Sequence, residues 1–294
     1  MLILTNPGSN LEPELVARYD VALTPQKIVV DGTEHDTRGE VDFARIDTWV
    51  KTAKEHPYVL GTSAAEFISA FTELAQRDPH ILAVTTSRKI IHSHDSAVAA
   101  VRTLEKRGAP RLDVRVADSG FTDLGAGLAV TLACEAMRAG RTLDEIASLV
   151  DAYRTQARFT LVADTLEYLV KGGRATPIRA MLANLLGLRP LISMVDGEIA
   201  IDAKISASAD RAEAIAKHME AAIGAGRPVW IGVFHGNAPA RATALADSLE
   251  KRFRVVHRCI RPLSPSIYLH MGPGAVGAVV VPVDRLPFPV RAPE

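Results

Sequence analysis

The sequence predicts an α/β protein with two domains, of which the first has a mostly parallel sheet flanked by helices. Two observations support this first part: strand-length apolar runs alternate with amphipathic helical segments, and such alternation is typical of parallel sheets. A third observation is a change of pattern beyond residue 158, which predicts an α+β domain with a mixed or antiparallel sheet. Polar residues at 154–158 interrupt the patterning, so we place the domains at 1–157 and 158–294.

Length and charge exclude several classes of protein. The chain has 294 residues, which suit about two domains, and 34 basic side chains balance 34 acidic ones. Zero net charge gives no electrostatic reason to expect nucleic acid or an anionic membrane as a partner. The apolar start, Met1 to Thr5, is a predicted strand and not a signal peptide, and no apolar run approaches the ~20 residues that cross a bilayer. We therefore expect a cytoplasmic protein without stable membrane insertion.

The two cysteines, Cys134 and Cys259, are too few to indicate a disulfide framework or a zinc site. We expect both to be reduced residues of the core. No resident cofactor is indicated.

The N-terminal elements follow from periodicity. Ile81 to Thr85 is a continuous apolar run of strand length, as expected for a strand covered on both faces. Ser63 and Glu66 have the spacing of a capping box, which begins a helix. Predicted strands cover 2–5, 81–85 and 114–116, a small hairpin begins at 27, and predicted helices cover 11–19, 42–53, 63–74, 96–104, 124–137 and 143–153. Polar residues at strand ends, where open α/β sheets bind ligands, include Thr62, Ser93 and Asp118.

The stretch Thr165 to Pro177 has the clearest local pattern. Leu166, Leu169 and Val170 recur at helical spacing, and Gly172-Gly173 then ends the predicted helix. Arg174 follows on a tight connection, before Thr176-Pro177 begins a second helix that covers 178–186. Further on, Asp196-Gly197 predicts the two-residue turn of a β-hairpin. Helices near 211–222 and 240–252 and strands near 229–234, 255–260, 267–270 and 278–281 complete the chain, with His270 at a strand end.

Several blocks together resemble the DegV family in order and spacing. The most specific is the run that ends in Lys171-Gly-Gly-Arg174, and the second is His270-x-Gly-Pro-Gly274. Thr62-Ser63 at a strand end, Asp118-Ser119 before a long helix, Leu186 to Leu191 and Asp196-Gly197 also match. The likeness covers nearly the whole chain, so the sequence is similar to a divergent member of this family.

The resemblance implies a lipid-binding protein. Family members have two domains and hold one long-chain fatty acid in a tunnel between them. Where a fatty acid kinase exists, they present the acyl carboxylate for phosphorylation and perform no chemistry themselves, so we expect a carrier and not an enzyme. Leu- and Met-rich helices such as 178–186 would line the tunnel, although from the pattern alone they would simply form a core.

One departure from the family concerns the carboxylate. The usual block after the third main strand is Leu-Ser-Gly-Thr-Tyr, and its serine binds the carboxylate. In the register anchored on Ser96-Ala97, Ile91 takes the serine position and His92 the glycine position. Ser93 takes over the carboxylate only if the loop is rearranged, and the N-terminal signature is also altered, to Thr5-Asn6-Pro7.

The candidate ligand-binding residues have structural alternatives. Thr62 is predicted to donate to the carboxylate, whereas Ser63 also caps a helix. Arg174 suits a carboxylate or phosphate, because guanidinium groups fit planar anions, and its alternative is an ion pair between domains. His270 is predicted to hydrogen-bond the head group beside the backbone of Gly272, and its alternative is a core histidine.

A second hypothesis is an enzyme. His92 and His94 would face the same way on a strand and, with Asp118, form a metal site for a hydrolase or a phosphotransferase. No His-Glu-x-x-His motif or cysteine pair supports this, and a solvent-facing loop explains His92 to His94 as well. A third hypothesis is a degenerate family member that binds no lipid.

Overall fold

A computed structural model describes residues 1–38, 41–108, 112–173 and 187–293. The strands are β1 Leu2–Thr5, β2 Ala22–Leu23, β3 Lys27–Val30, β4 Thr33–Asp36, β5 Tyr58–Leu60, β6 His80–Thr85, β7 Asp113–Asp118, β8 Arg158–Val162, β9 Leu188–Val195, β10 Glu198–Ser206, β11 Pro228–His235, β12 Arg254–Pro262 and β13 Val276–Pro282. The helices are α1 Pro13–Tyr19, α2 Phe43–Thr52, α3 Ala64–Ala75, α4 Ser93–Lys106, α5 Leu124–Arg138, α6 Leu143–Gln156, α7 Glu167–Lys171, α8 Arg211–Ile223, α9 Pro239–Glu250 and α10 Pro265–Met271.

The first sheet is parallel, as the sequence predicted. Its strand order is β2-β1-β6-β7, and each pair of neighbours runs in the same direction. Ile81 and Ala83 of β6 pack with α3 and α4, whereas Leu82 and Val84 pack with α5 on the opposite face. Both faces are covered, which explains why β6 is a continuous apolar run.

The second large sheet is mixed, which also confirms the prediction. Its order is β10-β9-β8-β13-β11-β12, with β11 and β12 parallel and the other neighbours antiparallel. Helices α8 and α9 cover one face of this sheet. Helices α5 and α6 contact strands of both sheets, and therefore form a layer between them. The boundary after residue 157 stays a prediction, because the helix just before it packs against both sheets.

The predicted hairpin is present, and its turn reaches the parallel sheet. Asp196 and Gly197 have φ of 50° and 85°, the left-handed values that an Asp-Gly hairpin turn requires. Ser87 Oγ, just after β6, donates to the carbonyl of Gly197 at 2.7 Å. The ammonium of Lys89 lies 3.0 Å from the carboxylate of Glu198. These contacts join the loop after β6 to β9 and β10.

One predicted element type and one predicted helix start were wrong. His270 lies in helix α10 and not at a strand end, because Ser264-Pro265 begins a helix with proline at its first position. Helix α4 begins at Ser93 and not near 96, so His92 to His94 form the start of a helix. In both places a short apolar or polar run has no period that separates helix from strand.

A buried carboxylate connects three parts of the chain. Asp123 Oδ1 accepts from Asn10 Nδ2 and from the Leu124 amide, each at 2.9 Å. Its Oδ2 accepts from the amide of Ser264 at 2.9 Å and from the Ser264 hydroxyl at 2.8 Å. Burial raises the pKa of Asp123, although these donors oppose the shift. The group thereby joins the loop after β1, the start of α5 and the start of α10.

We expect Asp123→Ala to lower the free energy of unfolding by roughly 3–5 kcal/mol, because it leaves several buried donors unpaired. Urea unfolding followed by circular dichroism measures the change. Asp95→Ala is the control, since Asp95 is half exposed and lies 3.2 Å from Arg88, and such surface pairs contribute under about 1 kcal/mol. Equal losses in the two variants would contradict a joining role for Asp123.

Candidate ligand-binding site

An apolar slot lies between the parallel and the mixed sheet. Its cavity volume is about 50 Å³, which is room for a few water molecules. The apolar lining is Val59, Ile90, Ile91, Phe159, Leu161, Ile192, Met194, Ile199, Ile267 and Met271, and the remaining lining is Gly8, Gln26, Thr86, Thr122, Ser193, Ser266 and His270. The mixed sheet, strand β5, helix α10 and the loops that follow β1, β6 and β7 all contribute. This slot is therefore a place where a ligand would contact the two halves of the chain together.

Polar side chains in the slot include Gln26, Thr86 and His270, all of them buried. Asn6 Oδ1 accepts from the Thr86 amide at 3.1 Å, so the altered Asn6-Pro7 signature holds the loop after β6. Thr37 Oγ1 lies 3.4 Å from Gln26 Oε1. Neither Gln26 nor Thr86 was among the predicted site residues. Thr86 follows a predicted parallel strand, and that position indicates a binding residue. No pattern in the sequence indicates Gln26.

His270 packs where the Gly172-Gly173 segment meets the Gly272-Pro-Gly274 segment. A Cβ on Gly172 would overlap the His270 ring, and a Cβ on Gly272 would lie 2.8 Å from the ring of Tyr168. Close approach of backbone to ring therefore requires glycine at both positions. Gly173 has φ of 70°, which confirms the predicted end of α7 in a left-handed residue.

Around this junction, helix α2 and a second histidine complete the packing. The hydroxyls of Tyr268 and Tyr168 donate to Asp47 Oδ1 at 2.9 and 3.4 Å. The ring of His56 lies 6.2 Å from that of His270 between centroids. Burial lowers the pKa of His56, and the Leu269 carbonyl opposes that shift.

Arg174 and the predicted helix 178–186 lie outside the described residues. A role for Arg174 therefore stays a prediction. Gly272 contacts Tyr168 and Gly236, and it is not among the described residues that line the slot.

Thr62 and Ser63 have clear structural roles. Thr62 Oγ1 donates to the carbonyl of Pro25 at 2.6 Å and shares a hydrogen bond of 2.7 Å with Thr24. Ser63 caps α3, and its hydroxyl and Glu66 form the predicted capping box. Neither residue lines the slot among the residues that the structure describes, so a ligand contact from Thr62 or Ser63 stays a prediction.

Ile91 and Ser93 lie side by side at Gly61. A Cβ on Gly61 would be 2.8 Å from Ile91 Cγ1 and 2.9 Å from Ser93 Oγ. Ile91 lines the slot, whereas Ser93 is 1% exposed and its hydroxyl has no hydrogen-bond partner within the described ranges. Ile91, which takes the serine position in the predicted register, is thus an apolar lining residue, and the unpaired Ser93 hydroxyl is two residues further on.

The proposed metal site is not formed. The side chain of His92 is 94% exposed, whereas His94 is buried with Nδ1 3.2 Å from Thr85 Oγ1. Residues two apart on a helix point in different directions, so the expectation of two parallel imidazoles was wrong. Burial lowers the pKa of His94, and the carboxylate of Asp118 opposes the shift. Across the described parts of the chain, no three His, Cys, Asp or Glu side chains are placed to hold a metal ion.

Comparison with known families assigns the chain. A model described as uncharacterised proteins of the DegV family matches residues 1–283. The chain belongs to the DegV family. Among curated DegV domain-containing proteins, one from Streptomyces coelicolor is 29% identical over 95% of this chain and 97% of its own length. One from Deinococcus radiodurans is 26% identical over 96% of this chain and 98% of its own length.

Solved DegV structures show the same fold. A DegV family protein from Thermus thermophilus, described by its fatty acid binding, superposes with a TM-score of 0.86 at 23% identity, over 96% of this chain and 99% of that one. DegV from Bacillus subtilis, a fatty acid binding protein, gives 0.83 at 20% identity, over 95% and 98%. Within the described residues of this DegV chain, no helix is long and apolar enough to span a membrane.

We expect Gly172→Ala to move the His270 ring, because the added methyl group overlaps it, and to lower the free energy of unfolding by about 1–3 kcal/mol. Gly173→Ala is the matched control: its Cβ meets open space, but its φ of 70° strains alanine by about 1–2 kcal/mol. Ring resonances of His270, assigned through His270→Gln, should shift in the first variant alone. An equal shift in both variants would show that Gly172 does not position the ring.

Proposed function

We propose that this DegV-family protein is a cytoplasmic carrier that binds one long-chain fatty acid in the slot and presents its carboxylate to a fatty acid kinase. The observation that carries the proposal is an apolar slot, lined by the mixed sheet and by loops that follow the parallel strands, with polar side chains that include His270 and Gln26. Relatives of the same fold support it. Besides the two proteins above, a Eubacterium ventriosum structure is described as a stearic acid-binding protein, with a TM-score of 0.81 at 19% identity.

The acyl chain supplies most of the affinity. Each buried methylene contributes about 0.8 kcal/mol, so the methylenes of hexadecanoic acid contribute roughly 11 kcal/mol in all. Hydrogen bonds to a charged acceptor contribute about 1.5–3 kcal/mol each. Lost translational and rotational freedom offsets a large part of the sum. Chain burial therefore sets the strength of binding, and the polar groups set which way the acid lies.

The slot must widen to admit the chain, because about 50 Å³ is too small for an acyl chain. Met194 and Met271 line it, and their unbranched side chains repack at low cost. Leu161 and Ile192, in contrast, belong to two paired strands and stay in place. We propose that the methionines move aside while the strands form a fixed wall.

For the carboxylate we propose His270, with Gln26 and Arg174 as further donors. Ser93 can join them, since its hydroxyl is unpaired, if Ile91 moves. Thr62 can contribute only by giving up its bond to Pro25. The exposed side chain of His92 and the helix cap of Ser63 give no support to a direct contact at the head group.

The partner kinase follows from the family resemblance and from position. His270 lies under Gly172, next to the exposed Lys171, so the proposed head group would be close to the surface. Mixing the loaded protein with the fatty acid kinase of the same organism and ATP tests this step. Appearance of acyl phosphate by ³¹P NMR supports it, and its absence with a kinase active on another carrier contradicts it.

We expect His270→Ala to weaken binding of hexadecanoic acid about 10- to 100-fold, because a bond to the carboxylate is lost. Native mass spectrometry of delipidated protein with added acid measures this. His270→Gln, which keeps a donor, should lose less, and His80→Ala, at the exposed start of β6, should lose nothing. A wild-type protein that takes up no fatty acid would contradict the carrier function. Normal uptake by His270→Ala would contradict only the assignment of the head group.

A further inference from the structure

The mixed sheet is split beside the slot. Strands β8 and β9 pair at Thr160 with Ser193 and at Leu161 with Ile192, and at no further position. Phe159 continues on β13 and Met194 continues on β10, without pairing with each other. The two strands therefore diverge at Phe159 and Met194, and both of these residues line the slot.

A second cavity begins at this split. We name it the hairpin groove; it has a volume of about 870 Å³ and is bounded by the β9–β10 turn, α6 and α8. Phe159, Ser193 and Met194 line both the slot and the groove. The slot and the groove are therefore adjacent at the point where the two strands diverge.

The walls of the hairpin groove combine polar and apolar side chains, in contrast to the mainly apolar walls of the slot. Arg154, Arg158 and His218 line the groove, together with the acidic residues Asp151, Asp196 and Asp202. His218 Nε2 lies 2.9 Å from Asp202 Oδ2, and the Arg158 guanidinium donates to the carbonyls of Thr155 and Ala157, each at 2.9 Å. Arg154 Nη1 lies 3.9 Å from the nearest carboxylate oxygen of Asp118. At the last paired position before the strands diverge, the hydroxyls of Thr160 and Ser193 lie 3.1 Å apart. A chain that extended past Phe159 would thus meet hydrogen-bonding side chains and solvent, and not a purely apolar end wall.

We propose that the slot accepts long-chain acids whose far end carries a polar group, such as ω-hydroxy or α,ω-dicarboxylic acids, and that this end lies in the hairpin groove. The proposal rests on the proposed function, with the first carboxylate at His270. In a closed tunnel a buried, unpaired ω-hydroxyl would weaken binding roughly 10- to 100-fold. In the hairpin groove the same hydroxyl keeps its hydrogen bonds, so the penalty is absent.

The test compares hexadecanoic acid, 16-hydroxyhexadecanoic acid and hexadecanedioic acid on delipidated wild-type protein by titration calorimetry. We expect the three dissociation constants to agree within about threefold. If the ω-hydroxy acid binds 30-fold or more weakly than hexadecanoic acid, the proposal that the far end lies in the hairpin groove is wrong. The carrier function is not contradicted by that result, because hexadecanoic acid still binds. Failure of all three acids to bind overturns the proposed function, and the open end with it.

A variant that fills the groove adds a second readout. Ala222 is an exposed residue of α8 that lines the hairpin groove, so a large side chain there is compatible with folding. We expect Ala222→Trp to weaken binding of hexadecanedioic acid at least tenfold and binding of hexadecanoic acid less than twofold. Ala222→Ser should change neither affinity. Equal effects of Ala222→Trp on the two acids would contradict a distal group in the groove.

Chain length gives an independent measurement. Affinity should rise about fourfold per methylene while the chain lies in the slot, and should stop rising once its end reaches the groove. A series of saturated acids from 10 to 22 carbons measures this. A fourfold rise that continues to the longest acid would contradict a passage into polar surroundings.

Discussion

The packing of the His270 ring against the backbone of Gly172 fixes the polar part of the slot. The contact needs a residue without Cβ at 172, and it brings together two blocks that lie about a hundred positions apart in the chain. A second contact of the same kind runs the other way: the ring of Tyr168, from the first block, packs on Gly272, from the second. The two blocks are therefore one packed unit, which explains why the family resemblance is strongest in them.

Several contacts away from the slot join the parallel sheet to the mixed sheet. Helices α5 and α6 contact both sheets, and the buried carboxylate of Asp123 holds the start of α5 to the loop after β1 and to α10. His270 belongs to α10, so Asp123 connects the position of the histidine to the parallel sheet. The turn at Gly197, bonded to Ser87, makes a second connection between the sheets. The elements that line the slot are thus joined by contacts outside its lining.

The sequence predicted the elements that local chemistry decides. The apolar run of β6, the cap at Ser63, the glycine end of α7 and the Asp-Gly turn each depend on neighbours in the chain, and all are present. His270 was placed on a strand because Ile267 to His270 is too short a run to show a period, and the helix signal of Ser264-Pro265 was overlooked. His92 and His94 were predicted to face the same way because they were assigned to a strand. They lie at the start of a helix instead.

The composition of the slot was harder to predict, because distant segments form it. Gln26 comes from the start of β3 and Thr86 from the end of β6, and no spacing in the sequence connects them. The bond from Thr62 to the Pro25 carbonyl is equally non-local. Ile91 is the exception: the register of the family block placed it in the serine position, and it lines the slot. With Ile91 there, the polar lining of the slot comes from other segments, and it includes Gln26, Thr86 and His270.

The direction of the bound chain tests the central claim most directly. A crystal of the protein with 16-bromohexadecanoic acid, measured at the bromine absorption edge, locates the far end of the ligand by anomalous scattering. We expect a bromine peak at the diverging strands beside Phe159 and Met194, with carboxylate density at His270. A bromine peak beside His270, or one outside the slot, would contradict a chain that runs from His270 toward the hairpin groove.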